Sequence, residues 1–107
     1  MASDTENRLI DRCLRGDESA FEALVEDHHG MVYAVSFRVT GDHNDADSVT
    51  QETFIKAYRS LASFQGRSEF KTWLYRIAVR AGLDFLRRRD ARPRSTSLDG
   101  SGEDPPD

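Results

Sequence analysis

Apolar positions recur at helical spacing in four stretches, and each stretch is bounded by a residue that stops or starts a helix. The first predicted helix runs from about Thr5 to Arg15 and stops at Gly16. Asp17 is placed to cap a long second helix from Glu18 to about Val39, on which Phe21, Leu24, Val25, Met31, Val32, Val35 and Val39 form a core stripe. Gly41 ends it, and Asp42 starts a third helix that reaches about Ala62. Residues 63–67 read as a loop, with Ser68 a candidate cap for the fourth helix. No strand alternation and no repeat appears, so the expected fold class is all-α, a compact four-helix domain.

Separating the faces of the last two helices brings in the chemistry. At about 100° per residue, Ala46, Val49, Thr53, Phe54, Ala57 and Leu61 cluster as the core side of the third helix, with Thr50 among them and Tyr58 at the margin. The opposite side carries Asp47, Ser48, Gln51, Glu52, Ile55 and Arg59. One isoleucine ringed by polar residues suits a protein-contact patch, although a single exposed Ile is also common on ordinary surfaces. On the fourth helix Phe70, Trp73, Leu74, Ile77, Ala78, Ala81 and Phe85 share one arc, while Arg76, Arg80 and Arg87 fall together outside it.

Charge sharpens the picture, because the net −4 of the 107-residue chain conceals three blocks. Residues 1–65 hold six Lys/Arg against twelve Asp/Glu, residues 66–94 nine against three, and residues 95–107 none against four. The middle block, net +6, is a local patch able to neutralise phosphates, and it coincides with the aromatic stretch FQGRSEFKTWLYRIAVRAGLDFLRRR. Aromatic and basic residues on one loop and helix suit single-stranded nucleic acid. The plain alternatives are core packing for Trp73, closure of the bundle for Phe64 and a solvated face for the arginines; Tyr75 points away from the core and favours a surface role.

Other classes are excluded or weakened. From Pro93 to Asp107 the chain is rich in Ser, Gly, Pro and acid, and reads as a disordered linker, which leaves residues 1–92 as the folded domain. No segment approaches the roughly 20 apolar residues of a membrane span, and no signal-peptide pattern opens the chain, so a cytoplasmic protein without membrane insertion is expected. Cys13 lies among Leu9, Ile10 and Leu14 and reads as a buried thiol. His28, His29 and His43 have no metal-ligand spacing, and neither metal nor cofactor is expected. Paired carboxylates, a nucleophile constellation and a phosphate-cradling glycine loop are all missing, which argues against an enzyme.

The segments D-A-D-x-V-x-Q-E-T-F, F-x-G-x-S-x-F and T-W-L-Y-R-I-A occur in order over residues 45–78, and with LIDRCLRGDESAFEALVEDHHGMVYAVSFRVTGD before them the chain closely resembles region 2 of bacterial extracytoplasmic-function (ECF) sigma factors. The resemblance covers roughly residues 7–90. It implies a four-helix domain that binds the clamp helices of the RNA polymerase β′ subunit and recognises the minus-ten promoter element. It further implies that the loop Phe64 to Phe70 pockets a flipped base of the single-stranded non-template strand. DNA contacts would then come from Phe64, Gln65, Gly66, Arg67, Ser68, Phe70, Lys71, Trp73, Tyr75, Arg76, Arg80 and Arg87, and polymerase contacts from Asp45, Asp47, Gln51, Glu52, Ile55 and Arg59. Arg88 and Arg89 would add attraction to DNA, and an anti-sigma factor is a further expected partner.

The chain departs from the family's pattern at Ser48, where an acid is usual, and at Arg80, where relatives often place Asn. The family's second, helix-turn-helix domain has no counterpart after Pro93 in this sequence, so an isolated domain ending in its linker is expected. Two readings from other classes stay open on the residues alone: a small helix-turn-helix regulator and a pure protein-interaction module.

Overall fold

The computed structural model describes residues 4–91, and the expected linker over residues 93–107 lies outside them. Four helices form: α1 (Asp4–Leu14), α2 (Glu18–Thr40), α3 (His43–Ser60) and α4 (Phe70–Ala91), with a 3₁₀ turn over Leu61–Ser63. The all-α expectation holds among the described residues.

Asp17 makes the first corner. Its Oδ1 accepts the backbone N–H of Ser19 at 3.1 Å and of Ala20 at 3.3 Å, which caps α2, while Oδ2 accepts Nε and Nη2 of Arg12 on α1 at 2.9 and 2.7 Å. Gly16, at φ 96°, supplies the left-handed turn between the two helices. The second corner repeats the logic. Gly41, at φ 74°, donates its N–H to the Phe37 carbonyl at 2.7 Å, and Asp42 then caps α3 by accepting the Asp45 N–H at 2.9 Å.

α2 is the central element: it packs on α1, α3 and α4, and α3 packs on α4. The core joins Leu24, Val32 and Val35 of α2 to Phe54 and Ala57 of α3, Leu61 of the turn, and Phe70, Leu74 and Ala78 of α4. Ile10 and Cys13 of α1 are buried against them. All six residues assigned to the core side of α3 are buried. On α2 the apolar stripe is correct but incomplete, because Ser36 and Thr40 are also buried. A serine or threonine can sit inside a helix bundle when its hydroxyl donates to its own helix, as Ser36 Oγ does to the Val32 carbonyl at 2.8 Å and Thr40 Oγ1 to the Ser36 carbonyl at 2.9 Å. Gly82, also outside the apolar count, lets α4 come close to α2: a Cβ there would lie 3.0 Å from Val39 Cγ1.

Two boundary expectations are corrected. α3 ends at Ser60, with the next three residues tightened into the 3₁₀ turn. Ser68 does not cap α4: its hydroxyl donates to the Glu69 carbonyl at 3.3 Å, and that same carbonyl accepts the Trp73 N–H at 3.1 Å, so α4 begins one residue later than the Ser68 cap implied.

The Asp17 corner yields a pH test. Hydrogen bonds from Ser19 and Arg12 hold its carboxyl at about 2, below the ordinary 3.8. A depressed folded pKa contributes stability that is present above the ordinary value and is lost as pH falls towards the folded one. Thermal denaturation should therefore show wild type losing more stability than Asp17→Asn as pH drops from 3.8 to about 2, since Asn still caps the helix but does not titrate. Parallel curves for the two proteins would contradict this.

Candidate nucleic-acid and partner interfaces

The loop between the 3₁₀ turn and α4 is built on three rings. The Phe64 ring lies 5.2 Å from Trp73 and 5.8 Å, edge-on, from Phe70, and Phe70 lies 5.6 Å from Trp73. The Phe64 N–H donates to the Leu61 carbonyl at 3.0 Å, and Gly66, at φ 73°, turns the chain back towards α4. Phe70 is only 1% exposed. Among the residues assigned to DNA it is therefore the floor of the loop and is not itself offered to a ligand. Phe64 and Trp73 are half-buried, so each both closes the core and keeps part of its ring accessible. Gln65, Gly66, Arg67 and Lys71 are exposed, Ser68 is half-buried, and Tyr75 stands 45% exposed.

The cations sort into two groups that the sequence did not distinguish. Arg88 Nη2 lies 3.0 Å from Glu52 Oε1, Arg89 Nη1 lies 2.7 Å from Asp45 Oδ2, and Arg87 pairs with Asp84 on its own helix. Lys56 reaches Glu52 at 3.2 Å and Asp84 at 3.7 Å. The arginine run at the end of α4 is thus paired with carboxylates of α3 and of α4 itself, which sets it apart from the cations described next. The same pairs hold Asp45 and Glu52, both assigned to polymerase, half-buried beside α4. Arg59, Arg67, Lys71, Arg76 and Arg80 form no ion pair among the described residues.

These unpaired cations face open ground. Lys56, Arg59 and Ser60 of α3 and Ile77 and Arg80 of α4 line a groove of about 230 Å³ between the two helices. A shallower hollow beside it is lined by Tyr75, Arg76, Val79, Arg80 and Leu83. Arg59, grouped by helical spacing with the polymerase patch, therefore shares a groove with Arg80. Lys56 was missed; its spacing to Arg59 and that of Ile77 to Arg80 are both i,i+3, the signal of one face of each helix meeting at a seam. An apolar-floored groove carrying three cations suits a sugar–phosphate strand.

Around the helix from this groove, Asp47, Ser48, Gln51 and Ile55 of α3 are exposed, Ile55 by 51%. Sequence reasoning also passed over a stack at the α2–α3 turn, where the rings of Phe37 and His43 lie 4.7 Å apart and Tyr33 lies 6.1 Å from His43. Among the described residues no His, Cys, Asp and Glu cluster could hold a metal ion, and no helix is long and apolar enough to cross a membrane.

Residues 24–92 match the family described as Sigma-70 region 2, and the chain belongs to that family. Within it the similarity is to ECF sigma factors. The chain is 44% identical over 89 residues to the ECF RNA polymerase sigma-E factor of Haemophilus influenzae, 42% over 95 residues to that of Escherichia coli, and 40% over 93 residues to the RNA polymerase sigma-H factor of Pseudomonas aeruginosa. These matches cover 83%, 89% and 87% of the chain but 47%, 49% and 48% of the relatives, so the chain spans about half the length of the curated relatives it matches. Among solved structures, an engineered region 2 of sigmaE in complex with GTAAAA superposes with a TM-score of 0.76 at 38% identity, covering 80% of this chain and 90% of that one. CnrH in complex with the cytosolic domain of CnrY gives 0.66 at 33% identity, covering 78% and 55%.

The sorting of cations predicts distinct salt dependences for binding to a single-stranded oligonucleotide. Arg59→Ala and Arg80→Ala should each reduce the slope of log affinity against log salt by about 0.7, the value for one phosphate contact on a single strand. Arg88→Ala and Arg89→Ala should leave the slope near wild type. Equal slope losses in all four variants would show that the ion pairs do not withhold the helix end from the strand.

Proposed function

We propose that this domain is a transcription initiation module that docks on core RNA polymerase through α3 and captures unpaired bases of the minus-ten element with the Phe64–Phe70 loop. The observation that carries the reading is a pair of half-buried, packed aromatic rings on a domain whose α3–α4 groove holds the unpaired cations Arg59 and Arg80, in a chain whose structural neighbour holds GTAAAA. The chemistry of RNA synthesis belongs to the polymerase; the domain itself acts by binding, in the cytoplasm where polymerase works.

Opening promoter DNA costs about 1.4 kcal/mol per base-pair step. Stacking a freed base on an aromatic ring returns about 1–3 kcal/mol, so one or two captured bases offset a comparable number of opened steps. In this proposal the base stacks on the uncovered part of Phe64 or Trp73, with Gln65, Arg67 and Ser68 around it. Arg59, Arg76, Arg80 and Lys71 then hold the neighbouring phosphates or read base edges. The exposed Asp47, Gln51 and Ile55 meet the β′ clamp helices, and Asp45 and Glu52 lie at the border of that face. An anti-sigma protein is a second partner class, supported by the likeness to CnrH bound to CnrY.

Substituting Ile55 or Gln51 by Ala should weaken co-purification with core polymerase while leaving the far-ultraviolet circular dichroism unchanged, because both side chains are exposed. Normal polymerase retention in both variants would remove α3 from the docking face. Phe64→Ala should weaken binding to single-stranded GTAAAA by about 1–3 kcal/mol with little change in salt slope, the signature of lost stacking. A slope reduced as in Arg80→Ala, with equal losses for every oligonucleotide sequence, would make the loop a basic surface and not a base pocket.

A further inference from the structure

α1 lies outside the stretch that matches the family, yet it is linked to both ends of the loop assigned to base capture, at one directly and at the other through α2. At one end it packs directly on the 3₁₀ turn from which Phe64 emerges. At the other end, where α4 begins, α1 makes no direct packing contact with α4. The connection there runs through His28. This residue lies in the middle of α2, is 9% exposed, and sits with its ring 5.2 Å from that of Phe70. Its Nε2 is 2.6 Å from Oε2 of Glu6, in the first turn of α1. A carboxylate has only acceptors, so the imidazole N–H is the donor, and a contact this short and this shielded is of the charge-assisted kind. Phe70 in turn touches Phe64 and Trp73. Glu6, His28, Phe70 and the two accessible rings are thus a continuous run of contacts from α1 to the loop.

Burying an imidazole without a partner is costly, so the Glu6 bond fixes the position of the His28 ring, and the ring fixes one side of Phe70. From these contacts we infer that α1 is a brace for the loop, with His28 and Glu6 as positioning residues that keep the Phe64 and Trp73 rings set for a base. The inference rests on the base-capture reading. His28 and Glu6 themselves touch no strand in it; they act through Phe70, while α1 packs on the 3₁₀ turn at the other end of the loop.

The chain has one tryptophan, and it stands in the cluster, so its emission reports on the rings directly. The experiment compares wild type with Glu6→Ala, His28→Phe and His28→Gln, using single-stranded GTAAAA and a thymidylate hexamer as probes at a temperature where circular dichroism shows every variant fully helical. Glu6→Ala and His28→Phe should shift Trp73 emission to the red and weaken GTAAAA binding by about fivefold, a part of what one charge-assisted hydrogen bond contributes because the pair acts on the loop only through Phe70, while thymidylate binding stays unchanged. His28→Gln, which keeps a side-chain N–H for Glu6, should restore both readouts. Lowered melting temperatures with unchanged emission and unchanged GTAAAA affinity would overturn the inference and reduce the pair to core packing. If wild type does not prefer GTAAAA and Phe64→Ala is silent too, base capture of that sequence fails as a reading; Trp73 emission then decides the brace alone, a red shift supporting it and an unchanged spectrum overturning it. Should His28→Phe not fold, Glu6→Asp, one methylene shorter, is expected to give the red shift in its place.

Discussion

The rotational setting of α4 is the constraint on which both candidate surfaces depend. Leu74, Ala78, Ala81 and Gly82 give the helix a side that is almost fully buried and, after Leu74, almost without bulk. Small residues let two helix backbones approach, and the near-contact of Gly82 with Val39 leaves little room to turn or slide. Once that side is fixed, the others follow from the helical repeat. Arg80 lines the groove shared with α3 and Arg76 the shallower hollow beside it, while Arg88 and Arg89, two turns further on, arrive beside Glu52 and Asp45.

The same residue type consequently has two jobs on one helix. A net +6 over residues 66–94 suggests a uniform basic surface, but arginines near the end of α4 are spent against carboxylates of α3 and of α4 itself. Exposed ion pairs of this kind contribute little stability, typically about 0–1 kcal/mol. Their larger effect is electrostatic: they remove positive potential from the side of the domain that carries Asp47, Gln51 and Ile55, and leave it concentrated at the groove.

Much of the fold was legible because it is written in local rules. Asp17 and Asp42 stand at the caps, Gly16 and Gly41 at the left-handed turns, and the α3 core follows the 3.6-residue period without exception. What escaped was of two kinds. Ser36, Thr40 and His28 are polar by name but buried, since each satisfies its polar atoms in ways that an apolar count ignores. The pairing of Arg88 with Glu52 and the shared groove of Arg59 and Arg80 depend on how two helices are docked, and no single-helix projection contains that information. The resemblance to a known family indicated which residues belong to the loop; it did not indicate that Phe70 lies beneath it.

The separations spanned by these contacts bear on how the domain assembles. The α1–α2 corner is closed by a side chain five residues from its partner, whereas the α3–α4 seam joins residues 36 and 44 apart. Loop-closure entropy favours short spans first, so the N-terminal corner can form while the seam is still open. A chain synthesised from its N-terminus can complete α1, α2 and α3 before α4 is available to dock. Until then the groove has one wall and the aromatic cluster lacks Phe70 and Trp73. The candidate nucleic-acid surface is therefore a late product of folding, and a growing polypeptide cannot assemble the proposed base-capture loop until the domain is nearly whole.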